Sequence, residues 1–136
     1  MDLATSKALA RARSYGLCEG CGLPARSRLD PHHRQARGSG GVHRQAAEVA
    51  NDVRNLLALC RVCHDKTEAG DTWAETEGLG WRIPKWVPDP FAVPAYIFTV
   101  NGRAWWLLTE DGGYKWVDLP VHWRVTHGSE PSESTP

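Results

Sequence analysis

Nowhere does the sequence hold an apolar run approaching the roughly 18 to 20 residues that a membrane-spanning helix needs, which excludes an integral helical membrane protein. The opening MDLATSKALARARSYG has no apolar stretch of the kind that directs secretion, so the expected compartment is the cytoplasm. Net charge is also missing: 16 Lys and Arg are balanced by 16 Asp and Glu, which by itself speaks against a polyanionic partner. No internal repeat is visible, and no βαβ pattern that would house a redox CxxC. Cysteine is limited to four residues, and without a secretion signal a disulfide framework is not expected.

What is present changes the reading of that zero charge. Residues 1–66 carry 11 Lys and Arg against 6 Asp and Glu, a charge of +5, whereas residues 67–136 carry 5 against 10, a charge of −5. The basic, Arg-rich half is the one expected to face nucleic acid, chance clustering on a solvated surface being the alternative. The four cysteines form two CxxC pairs, Cys18/Cys21 and Cys60/Cys63. In a cytoplasmic chain this pattern reads as a four-thiolate structural zinc site. A core this small commonly needs such a staple, and zinc on folded thiolates supplies about 10–16 kcal/mol in small fingers.

Periodicity and turn residues predict an α+β chain. A helix is expected over 3–14, with Leu3, Ala8, Leu9 and Ala12 roughly on one face and Gly16 as its stop. A short strand is expected over 27–34, with Pro31 confined to an edge. RGSGG at 37–41 reads as a loop, residues 43–54 as a helix or long loop, 56–59 as an apolar run, and 61–69 as a helix stopped by Gly70. Residues 71–94 form a Trp/Pro-rich connector. Ala95–Val100 and Arg103–Thr109 predict a hairpin with a type I′ turn at Asn101-Gly102, and Tyr114–Leu119 a third strand. That divides the chain into a core at 1–70, the connector, a small β extension at 95–127, and a polar tail at 128–136 expected to be disordered.

Between the cysteine pairs lie Asp30-Pro31-His32-His33-Arg34 and Asn55-Leu56, and Cys63 is followed by His64. The stretches LDPHHRQARGSGG and NLLALCRVCHDK, with CEGC upstream, resemble the HNH endonuclease family in its four-cysteine zinc variety. The resemblance covers about residues 16–69, with 22 positions from His33 to Asn55 and 9 from Asn55 to His64. It implies a zinc-stapled ββα-metal (His-Me finger) core and metal-dependent hydrolysis of DNA phosphodiesters, leaving a 5′-phosphate and a 3′-hydroxyl. RNA remains open as a substrate, as does the oligomeric state. The resemblance further implies that His32 and His64 hold a catalytic divalent cation (Mg2+, Mn2+, Ni2+ or Zn2+). His33 would be the general base, and Asn55 would fix the backbone of the His33 loop. The overall texture is similar to that of small HNH proteins encoded by phages.

Elementary chemistry allows those roles. A neutral imidazole can take a proton from water near pH 7, and a cation can neutralise charge on phosphate and leaving oxygen. On a strand His32 and His33 point to opposite faces, so a local turn beside Pro31 is expected to bring both to one site. His43 replaces His32 as ligand or faces solvent. Arg34, Arg37, Arg44 and Arg54 are candidate phosphate contacts. Two features depart from the family pattern: the stretch from Gly41 to Asn55 is long, and Pro31 stands where an apolar strand residue is usual. The rival readings are a zinc-dependent nucleic-acid-binding module without catalysis, and a phage packaging or scaffold accessory protein docking through the acidic β extension.

Overall fold

The computed structural model describes residues 2–36 and 48–118. Arg37, Arg44, the Gly-rich loop, the end of the β extension from residue 119 and the polar tail lie outside them. Among the described residues no helix is long and apolar enough to cross a membrane.

The chain opens with helix α1 (Leu3–Ser14), capped by the Asp2 carboxylate, which accepts from the Thr5 N–H at 2.7 Å. It ends where Tyr15 turns left-handed at φ 54°. The helix stands where periodicity puts it, but its inner face differs from the expected stripe. Ala8 and Ala12 are exposed, while Ser6, Ala10 and Arg13 are buried. The cause is Arg13, whose guanidinium is drawn inward onto the Glu19 carboxylate at 2.8 and 2.9 Å.

Two short strands follow, β1 (Asp30–His33) and β2 (Leu56–Leu59), paired antiparallel with His32 opposite Leu57 and His33 opposite Leu56. β2 is buried along its whole length. Pro31 is tolerated because a two-stranded sheet consists only of edges. Cys60 then starts helix α2 (Arg61–Glu68), which ends at Ala69, just before the expected stop at Gly70. A tight turn over Gly70–Thr72 leads into a further short helix, α3 (Trp73–Gly78), inside what reads from sequence as a connector.

The second sheet is β3 (Ala95–Thr99), β4 (Gly102–Leu108) and β5 (Tyr114–Trp116), in that order and antiparallel. Thr99 pairs with Gly102, so the two loop residues are Val100 and Asn101, one position earlier than the Asn-Gly signal suggests. The sheet shares one core with the first: Ala95, Ile97, Trp106 and Leu108 pack with Leu57, Ala58, Leu59, Cys18, Cys63 and Trp81. Gly80 permits the connector to pass close to this sheet. It adopts φ +73°, and a Cβ there would lie 2.1 Å from the Pro94 carbonyl oxygen.

Glu19, between the two cysteines of the first pair, joins these parts. Its backbone N–H donates to Ala58 O at 2.9 Å and its carbonyl accepts from the Phe98 N–H at 2.9 Å, linking β2 to β3. Its fully buried carboxylate accepts from Arg13, from the Ala58 N–H at 2.8 Å and from the Tyr114 hydroxyl at 2.5 Å. Burial and the adjacent Glu19 charge raise the pKa of Tyr114, which keeps its hydroxyl a donor. Glu19→Gln leaves the buried Arg13 cation without its countercharge. Loss of one partner of such a pair costs about 3–5 kcal/mol, to be read as a lowered denaturant midpoint at unchanged slope.

Candidate functional site

Two clusters of metal-ligating side chains form among the described residues. The Sγ atoms of Cys18, Cys21, Cys60 and Cys63 lie within 4.8 Å of one another. Cys18 and Cys21 come from the turn after α1, Cys60 from the end of β2 and Cys63 from the first turn of α2. The Cys18 sulfur faces the N–H groups of Gly20 at 3.2 Å, Cys21 at 3.4 Å and Cys60 at 3.2 Å. Hydrogen bonding from the Cys63 thiol, followed by these N–H groups, pulls Cys18 down to about 4, while Cys63 is pushed up by holding its proton toward Cys18. One thiolate thus forms at the expense of its neighbours, and full deprotonation of four adjoining sulfurs requires a cation among them. Gly20 keeps the turn tight against α2: a Cβ on it would sit 3.0 Å from both Cys63 Sγ and the Trp81 ring.

The second cluster joins β1 to α2. One ligand atom each from His32, His64 and Glu68 fall within 4.8 Å of one another. His64 and Glu68 are one helical turn apart, with Nε2 to Oε1 at 3.6 Å. The partners of the two imidazoles determine which nitrogens are available. His64 Nδ1 lies 3.0 Å from the Asp30 carboxylate and donates to it, which turns Nε2 toward Glu68. His32 Nε2 lies 2.8 Å from the Trp81 carbonyl oxygen and must donate to it, which leaves the Nδ1 lone pair. Thr67 Oγ1 stands 3.4 Å from that Nδ1, but its one hydrogen goes to the His64 carbonyl at 2.6 Å. Both rings are thereby oriented by groups behind them, as metal-binding imidazoles usually are. Burial holds the His32 pKa down to about 4, so the ring is neutral and able to ligate at pH 7.

A cavity of about 260 Å³ opens beside this cluster. His32, His33, Thr67 and Glu68 are among its lining residues, and the His33 Nε2 atom is itself buried. The turn expected beside Pro31 does not form: β1 pairs with β2 in unbroken register from Asp30 to His33. Asn55 is fully buried and grips the backbone two residues beyond His33. Its Oδ1 accepts from the Gln35 N–H at 2.9 Å, and its Nδ2 donates to Gln35 O at 3.1 Å and Ala50 O at 3.0 Å.

The arginines expected on phosphate need correction. Arg34 is buried, and its guanidinium donates to the carbonyls of Gly80 at 2.9 Å, Arg54 at 3.2 Å and Val93 at 2.7 Å. Burial, with the Arg13 charge as a secondary cause, pulls its pKa down to about 9, still cationic at neutral pH. Its task is to hold the connector against β1. Arg54 is engaged by Asp52 at 2.9 Å and lies 3.8 Å over the Phe91 ring. Arg37 and Arg44 lie outside the described residues. Beside Arg34, the cations among the described lining residues are Arg82 and Lys85, from the connector. Glu68, Arg82 and Lys85 all escaped the sequence reading. Only Glu68 carried a local signal, its position one helical turn beyond His64.

The depressed His32 pKa predicts a pH-dependent stability. The unfolded chain protonates this imidazole below about 6.5, whereas the folded one does so only below about 4. Stability contributed by neutral His32 is therefore complete above pH 6.5 and lost as pH falls to about 4, on the order of 3 kcal/mol. Denaturant titrations at pH 7 and pH 4.5, with the cysteine cluster metal-loaded, should show a larger fall for wild type than for His32→Gln. Equal falls would show that His32 does not titrate as its burial requires.

No protein-family model, curated protein or solved structure matches the chain, so the reading of the site rests on its own geometry.

Proposed function

We propose that the protein is a zinc-stabilised, metal-dependent endonuclease of the HNH type that hydrolyses DNA phosphodiester bonds, with His33 as general base. One observation carries the reading. Three correctly presented ligand groups, His32, His64 and Glu68, converge beside a cavity that His33 also lines. Two antiparallel strands followed by a helix frame them, which supports the reading as a ββα-metal core.

The cysteine cluster fits structural zinc. Cys21 and Cys60 sulfurs are 3.9 Å apart, close to the edge of about 3.8 Å expected of a tetrahedron with Zn–S bonds of about 2.3 Å. The second cluster fits a cation that keeps open positions, since Glu68 is exposed and three protein ligands leave room for water or substrate. A divalent cation there would stabilise the charge that builds on the phosphate and the departing oxygen. The chain's own residues supply the rest. His33 accepts a proton from the attacking water as its oxygen bonds to phosphorus and the bond to the 3′ oxygen breaks. Asn55 holds the backbone that carries His33, while Asp30 and the Trp81 carbonyl keep His64 and His32 in the ligating tautomers. Two imidazoles favour Mn2+ or Ni2+ over the harder Mg2+.

Zinc is expected at one equivalent per chain in purified protein, and strong chelation should unfold the core, because binding energy in such sites is folding energy. Elemental analysis together with circular dichroism checks both, and a folded, zinc-free protein would refute the assignment.

His33→Ala should lower nicking by about 10² to 10⁴-fold while leaving zinc content and fold intact. His32→Ala, His64→Ala and Glu68→Ala should weaken the response to added Mn2+ and recover partly at high metal. Conversion of supercoiled plasmid to open circle, followed side by side for these variants, reads all four. Nicking by His33→Ala at the wild-type rate would rule out the mechanism.

A further inference from the structure

The connector after the second CxxC pair is built into the site. Ile83 N–H donates to Arg34 O at 2.8 Å, and Gln35 pairs with Ile83 in a parallel bridge that continues from the end of β1. The Gln35 side-chain amide donates to the carbonyls of Pro84 and Val87, each at 3.0 Å. With the Arg34 and His32 bonds to Gly80 and Trp81, five hydrogen bonds fasten residues 80–87 along residues 32–35. The side chains that face the cavity from this segment are therefore held in register with the histidine cluster.

Those side chains are cationic. Arg82 is half-buried, stacks 4.2 Å over the Trp73 ring, and is oriented by Glu77 at 2.6 Å. Trp73 and Glu77 both stand on α3, so that short helix serves as a bracket for one guanidinium. Lys85 is exposed on the same wall, and among the described residues it makes no hydrogen bond or ion pair. Against these cations the described lining residues offer one carboxylate, Glu68. A half-buried guanidinium and a solvated lysine on one small space favour an anion such as a backbone phosphate.

Building on the nuclease reading, we infer that Arg82 and Lys85 bind a nucleic-acid backbone phosphate next to the one held at His32, His64 and Glu68. The strand thus runs between the hairpin-helix unit and the connector. A cavity of about 260 Å³ accommodates one sugar-phosphate unit rather than a base pair, which makes this wall a backbone contact with no preference for base.

The test uses the full zinc-loaded chain and a fluorescent duplex DNA oligonucleotide, with binding measured across salt without added divalent cation. Lys85→Gln and Arg82→Gln should each flatten the plot of log affinity against log salt by about 0.9 and weaken binding several-fold near physiological salt. Lys115→Gln removes the same charge from β5, away from the cavity, and should leave slope and affinity at wild-type values. In nicking assays the loss in the two wall variants should fall on KM more than on kcat. If both bind and cut like Lys115→Gln, the inference is overturned even though the enzyme is active. If wild type cuts nothing with any cation but its binding still depends on Lys85 and Arg82, the wall stands and the nuclease reading fails.

Discussion

The buried pair of Arg13 and Glu19 is the constraint on which the rest of the molecule depends. Neither charge can be left alone in the interior, so the helix that carries Arg13 and the cysteine turn that carries Glu19 must meet in one way. Glu19 then uses its remaining hydrogen-bonding capacity on β2, β3 and Tyr114 of β5. A single residue between two cysteines therefore sets the positions of the first helix and both sheets. The cysteine cluster closes on the same turn, and the two devices reinforce each other: the cluster fixes the turn to α2, and the ion pair fixes it to everything else.

A second buried cation performs the equivalent task for the site. Arg34 has no carboxylate partner among the described residues and is satisfied by three carbonyls, two of them in the connector. Burying a guanidinium this way is costly unless each donor is met, so the connector has little freedom to sit elsewhere. Trp81 supports the same placement from below, packing on Gly20 and donating its indole N–H to Tyr96 O at 2.9 Å. Its carbonyl orients His32. Core packing, connector path and imidazole tautomer are thus coupled through one residue.

The cysteine pairs, the histidine pair, Asn55 and His64 were all legible because each sits in a short, spaced pattern whose chemistry is local. So were α1, β2 and α2, whose periodicity and stops are local too. The hairpin loop was off by one because the cross-strand register, with Thr99 opposite Gly102, overrode the Asn-Gly preference. The helix face was misjudged because an apolar stripe was assumed, whereas a buried ion pair turned Arg13 inward. Arg34 looked like a surface cation for the same reason: sequence reports a charge without saying whether carbonyls wait for it.

The sequence by itself determined the α+β class, the two groups of metal-ligating residue types and their order along the chain. These follow from side-chain chemistry and short-range spacing, which need no knowledge of distant partners. Only the tertiary structure decided that Glu68 completes the histidine cluster, and that Arg34 and Arg54 are occupied internally. It also decided that Arg82 and Lys85, from a segment with no motif, line the cavity. The physical reason is that those outcomes depend on long-range hydrogen bonds, with Arg34 reaching 46 residues to Gly80 and 59 to Val93. No local pattern encodes where a buried donor finds an acceptor that far along the chain.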